Sequence, residues 1–181
     1  MKEANFSWSA PIALADIPDA GQRFDLAANE DTRAQLAKLA GLRTLPRLEA
    51  TFDVARHGAR GLRITGRVAA TVGQACVVTL EPIDNEVEED VNLVFAPPRE
   101  RPADADGDDA ATESLDLDAP EPLIGDIIDL GAIATEFLLL GIDPYPRKPG
   151  TKFEPPPLDD AGAHPFAALA VLKKGQGVKN D

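Results

Sequence analysis

LEATFDVARHGARGLRITGRVAATV, residues 48–72, is the stretch on which the fold turns. Leu48, Ala50, Phe52 and Val54 alternate with Glu49, Thr51 and Asp53, the period of two that a strand with one buried face requires. His57-Gly58-Ala59-Arg60-Gly61 interrupts it as a flexible turn. Beyond the turn, Leu62, Ile64, Val68, Ala70 and Val72 face one way, and Arg63, Arg67 and Thr71 the other. A connection this short cannot hold a crossover helix, so the two strands pair antiparallel. Gly73-Gln74 reads as a further turn, residues 76–80 as a short strand, and Val87, Val91, Leu93 and Phe95 mark another. The expectation is an antiparallel meander over residues 48–95.

Working outward, residues 6–10 and 23–27 read as short strands before this core. Asn29 is an N-cap, with Glu30 and Asp31 in the first turn of a helix over 30–40 that Gly41 ends. On the other side, ADADGDDAATESLDLDAPEP is acidic and punctuated by Gly and Pro. Residues 99–119 are expected to be a disordered acidic loop, with a decoy surface for a basic partner as the alternative. Asp129 caps a helix over 130–140 that turns Leu130, Ile133, Ala134, Phe137 and Leu138 to one side and Glu136 to the other. Six prolines in residues 143–157 exclude helix and internal strand there. His164-Pro165-Phe166 opens a third short helix, over 166–173, with proline at its first position. The class is therefore α+β: an antiparallel β-meander sheet with three short helices and long irregular acidic and Pro-rich segments. It reads as a single domain over residues 1–181.

Composition narrows the function. Of 181 residues, 44% are hydrophobic, enough for a core, but only 5% are aromatic, so aliphatic side chains must do the packing. The one cysteine, Cys76, excludes an internal disulfide and a four-cysteine zinc site, and the two histidines cannot build a metal cluster. The opening MKEANFSWSA lacks the apolar core of a secretory signal, and the apolar run over 130–142 is too short to span a bilayer. The expectation is a soluble cytoplasmic protein. A net charge of −13 disfavours non-specific nucleic-acid binding and makes a basic protein the easier partner.

Catalytic signatures are missing: there is no phosphate-binding glycine loop, no GxSxG and no HExxH. Cys76, beside Val77 and Val78, reads as a buried small residue rather than a reactive thiol. His57 and His164 have no evident nucleophile partner. No catalytic residue, metal ligand, cofactor or small-molecule substrate is expected. A hydrolase acting on RNA, its carboxylates brought together only by folding, is the competing class.

The basic residues say more. Six arginines lie between Arg43 and Arg67, opposed there only by Glu49 and Asp53. Arg56, His57, Arg60, Arg63 and Arg67 surround one hairpin and form the candidate surface for RNA or another partner, since the planar guanidinium fork suits phosphate. The alternative is a solubilising face paired with acids elsewhere; no aromatics interleave the arginines as a single-strand RNA platform requires.

Three stretches considered together resemble the YceD family of large ribosomal RNA subunit accumulation proteins: ACVVTLEPIDNEVEEDVNLVFAP (75–97), IIDLGAIATEFLLLGIDPYPRKPG (127–150) and HPFAALAVLKK (164–174). Asp129, Leu130, Glu136 and Pro144 carry the second. The N-terminal third matches only in outline. Many relatives carry a cysteine pair two residues apart in the first stretch; here Cys76 is followed by Thr79, and the Pro-rich segment has no cysteine, so a metal clip is not supported. The resemblance implies a bacterial, non-enzymatic role in synthesis, processing or stability of large-subunit ribosomal RNA. Its implied partners are the large-subunit precursor, a ribosomal protein or the RNA itself. A generic acidic chaperone for basic ribosomal proteins is a third reading.

Overall fold

The computed structural model describes residues 8–58, 60–97 and 120–153. The chain divides into two compact units, Met1–Pro149 and Gly150–Asp181, and the fold below is that of the first. In chain order its elements are β1 (Pro11–Ala13), a 3-10 turn (Leu14–Asp16), β2 (Gln22–Ala27), α1 (Glu30–Leu39), β3 (Thr44–His57), β4 (Gly61–Ala75), β5 (Pro82–Ala96), β6 (Glu121–Pro122), β7 (Ile127–Asp129) and α2 (Leu130–Gly141).

The period of two in residues 48–72 becomes the β3–β4 hairpin. Leu48, Ala50, Phe52 and Val54 are buried and stand opposite Ala70, Val68, Gly66 and Ile64. The main sheet runs β2-β3-β4-β5-β6, antiparallel throughout except where β6 joins β5 in parallel at Phe95–Glu121 and Ala96–Pro122. β1 and β7 form a separate antiparallel pair. Leu36 and Ala37 of α1 and Leu130, Ile133, Ala134 and Leu138 of α2 belong to the same buried cluster as Phe52, Ile64, Val68, Val72, Val87 and Val91. Both helices therefore cover one face of the sheet, and no described helix lies on the other. Among the described residues the interior is apolar apart from Thr135, whose hydroxyl donates to the Gly131 carbonyl one turn back at 2.8 Å.

The helix caps follow the residues expected of them. The Asn29 side chain accepts from Thr32 N–H at 2.8 Å. Asp129 accepts from Gly131 and Ala132 N–H at 2.9 and 3.2 Å, and also from Ala10 N–H and the Ser9 hydroxyl, so it ties the β1 approach to α2.

Other expectations need correcting. Gly73-Gln74 is not a turn. β4 continues through it, pairing Gly73 with Asp84 and Gln74 with Ile83, and residues 76–80 form the connection rather than a strand. The glycine marks a close approach: a Cβ on Gly73 would lie 2.0 Å from the Thr44 hydroxyl. The apolar Val77-Val78 imitates a strand, but Leu80 N–H donates to the Cys76 carbonyl and Cys76 N–H to the Glu81 carbonyl, closing a turn. The first strand begins at Pro11; residues 8–10 precede it without strand structure. The described part of the Pro-rich segment, through Phe153, holds neither helix nor strand. The expected acidic loop 99–119 and third helix 166–173 lie outside the described residues.

Candidate functional site

The β3–β4 hairpin presents Arg56, His57, Arg60, Arg63 and Arg67, but strand parity divides them between the two sides of the sheet. Arg56 shares the parity of the buried Val54. It turns to the covered side, donating to the Ile17 carbonyl at 2.8 Å and pairing with Asp19 at 3.4 Å. Arg60, in the turn, reaches Asp126 at 3.7 Å. Arg63 and Arg67 project from the open face, while His57 ends β3, exposed. The five residues thus do not converge on one surface.

The open-face guanidiniums of β4 each have a partner on β5. Arg67 reaches Asp90 at 3.0 Å and Glu88 at 3.4 Å, and Arg63 donates to the Asn92 side-chain amide at 3.1 Å. On neighbouring strands Arg47 meets Glu86 at 2.7 Å and Glu49 at 3.4 Å, and Arg23 lies between Asp25 and Asp53. The Thr71 hydroxyl, followed by Arg47, holds the Glu86 carboxyl below the usual carboxylate range. Glu86 in turn raises the Arg47 pKa.

Sequence reasoning names Glu49 and Asp53 but misses the acids of β5. Asp84, Glu86, Glu88 and Asp90 occupy alternate positions of β5, all on the open face, opposite Gly73, Thr71, Ala69 and Arg67. Their signal is present in the sequence as carboxylates at every second residue. Successive members are about 6.8 Å apart along the strand, within a Debye length of about 8 Å at physiological salt, so their potentials add. Among the described residues, the open face carries seven carboxylates (with Asp25, Glu49 and Asp53) against four arginines (Arg23, Arg47, Arg63 and Arg67).

Two further features are built locally. The turn after β4 is clipped to the Pro-rich segment: Lys148 N–H donates to Cys76 Sγ at 3.4 Å, Val77 N–H to the Pro146 carbonyl at 2.9 Å, and Lys148 Nζ pairs with Glu81 at 2.8 Å. Cys76 is buried, as expected, but at the mouth of a turn. There Lys148 N–H, then the Thr79 hydroxyl and the Thr79 and Val78 N–H groups, lower its pKa to about 6 against the opposing effect of burial. An apolar hollow of about 450 Å³, lined by Leu93, Phe95, Leu123, Ile133, Phe137 and Leu140 and edged by Glu121 and Glu136, opens between the end of β5 and α2. Among the described residues no group of three or more His, Cys, Asp or Glu converges to hold a metal, and no helix is long and apolar enough to cross a membrane.

This architecture defines a class: a small α+β protein whose sheet is packed by helices on one face and bears a charged, acid-rich surface on the other. The chain belongs to the YceD family: the family model described as large ribosomal RNA subunit accumulation protein YceD matches residues 64–173. The match takes in β4 from Ile64 onward, β5 and α2, and all three stretches that carry the resemblance, save Lys174. No curated protein and no solved structure matches the chain. The family description associates the chain with accumulation of large-subunit ribosomal RNA.

Proposed function

We propose that the chain supports accumulation of large-subunit ribosomal RNA without catalysing a reaction, by binding a basic ribosomal protein on the open face of its sheet. The observation that carries this reading is the charge of that face. Asp84, Glu86, Glu88 and Asp90 form a continuous row, and the arginines beside them are engaged by carboxylates or, for Arg63, by an amide. Exposed ion pairs of this kind contribute little to folding, so stability gives little reason for so many charges on one surface. A lysine- and arginine-rich partner gains from the whole row at once.

The competing contact is with precursor RNA through Arg56, His57, Arg60, Arg63 and Arg67. It draws support from Arg63, whose amide partner leaves its charge unneutralised. Affinity purification of the tagged full chain at moderate salt, with and without nuclease, separates the two. Protein contact predicts nuclease-resistant recovery of large-subunit ribosomal proteins, lost in Asp84→Lys/Glu88→Lys and kept in Arg63→Glu/Arg67→Glu. Recovery abolished by nuclease, or lost only in the arginine variant, would overturn it in favour of RNA.

A further inference from the structure

Residues 30, 33, 34 and 38 lie on adjoining turns along one side of α1, beside the buried Ala37. The helix ends at Gly41 in the left-handed conformation (φ 66°), with Leu42 N–H bonded to the Ala37 carbonyl at 2.9 Å and Gly41 N–H to that of Lys38 at 3.4 Å. This reversal brings the chain back beside the helix, and Arg43 N–H is then fixed to the Gly73 carbonyl of β4 at 2.8 Å. As a result Arg33, Lys38 and Arg43 line one open hollow of about 620 Å³ with an apolar floor that includes Ala37 and Leu42. Glu30 is the one acid on its lining among the described residues.

Elsewhere in the described residues Arg23, Arg47, Arg56, Arg60 and Arg67 each meet a carboxylate. Within the same described set, none of the cations in the hollow does. Arg33 donates Nη1 to the Ala28 carbonyl at 2.6 Å, a neutral acceptor that orients the fork and leaves its charge in place. Both Lys38 and Arg43 are exposed. Because α1 packs on the covered face, the sheet separates this hollow from the carboxylate row.

We propose that the hollow binds the phosphate backbone of RNA. Guanidinium forks and an ammonium suit phosphate oxygens. A volume of this size takes several linked groups rather than a single ion. No aromatic side chain among the described residues lines the hollow, so bases have no platform to stack on and contact falls on the backbone, independent of sequence. This inference goes beyond the protein-binding reading and does not depend on it.

Fluorescence anisotropy of labelled 20-nucleotide RNAs of several sequences, titrated with the full chain over a range of salt, tests it. Lys38→Ala/Arg43→Ala removes two exposed cations outside the core, so circular dichroism and melting remain those of the parent. The double variant binds all the RNAs more weakly, by about tenfold or more at low salt, and its log K against log salt slope is shallower by about 1.4, about 0.7 for each lost phosphate contact on a single strand. Failure of the parent chain to bind RNA at low salt would overturn the proposal. So would unchanged affinity in the double variant, or a loss confined to Arg63→Glu/Arg67→Glu.

Discussion

At Cys76 a single side chain links the strand end, the turn and the Pro-rich segment. Its thiol is buried, yet the N–H donors around Sγ, Lys148 foremost, favour the thiolate and bring the pKa to about 6 from an ordinary 9.0. A depressed folded-state pKa means that the unfolded chain binds the proton more tightly. The stabilisation is therefore complete above the unfolded value, and it fades as pH falls from about 9 to about 6. Thiolate absorbance of the folded chain should titrate near 6, and stability in denaturant melts should rise between those pH values. Cys76→Ser, whose hydroxyl does not ionise in this window, should flatten that rise. A thiol titrating at its ordinary value in the folded chain would remove the donors from this role.

Among the elements, α2 is the most legible from residue order alone. Asp129 preceding an apolar period of 3.6 announces both its cap and its buried face, and the helix follows at Leu130–Gly141. Hidden from the sequence is the second use of Asp129. It also receives Ala10 N–H at 2.7 Å and the Ser9 hydroxyl at 2.6 Å across some 120 residues of chain. Burial works against its ionisation, but the four donated hydrogen bonds outweigh that and lower its pKa. Asp129→Ala should consequently cost more than a simple cap, about 2 kcal/mol where an exposed cap costs about 1, measured as a fall in the denaturation midpoint. Asn29→Ala at α1, whose side chain accepts from Thr32 N–H, is the comparison; equal losses at the two sites would deny the extra tie. The β3–β4 hairpin is equally readable, because polar and apolar residues alternate along its strands. The end of β4 is not: local residue preferences make Gly73-Gln74 look like a turn, whereas its pairing with Asp84 and Ile83 comes from a strand some ten residues away. For the same reason the arginines can be found in the sequence but not assigned to sides. Arg56 and Arg63 lie on opposite faces because the turn between them sets the register, and the acids that meet Arg56 and Arg60, Asp19 and Asp126, come from remote segments.

Among the described residues, acids and bases are shared unevenly between the two sides of the sheet. The acid-rich face of the sheet lies on one side, and the cations gathered around α1 lie on the other. A net charge of −13 taken from composition alone predicts repulsion of RNA everywhere; the described residues instead set an acid-rich face of the sheet apart from a basic hollow beside α1. The YceD match to residues 64–173 covers the strand that carries the carboxylate row and begins after α1, which favours the acid-rich face as the surface that the proposed function uses. The most direct test of that function is the ratio of large- to small-subunit ribosomal RNA in a strain lacking the protein. The expected result is a lowered ratio, restored by the parent chain but not by a folded Asp84→Lys/Glu88→Lys variant expressed to the same level. An unaltered ratio in the deletion strain, or full restoration by that variant, would contradict it.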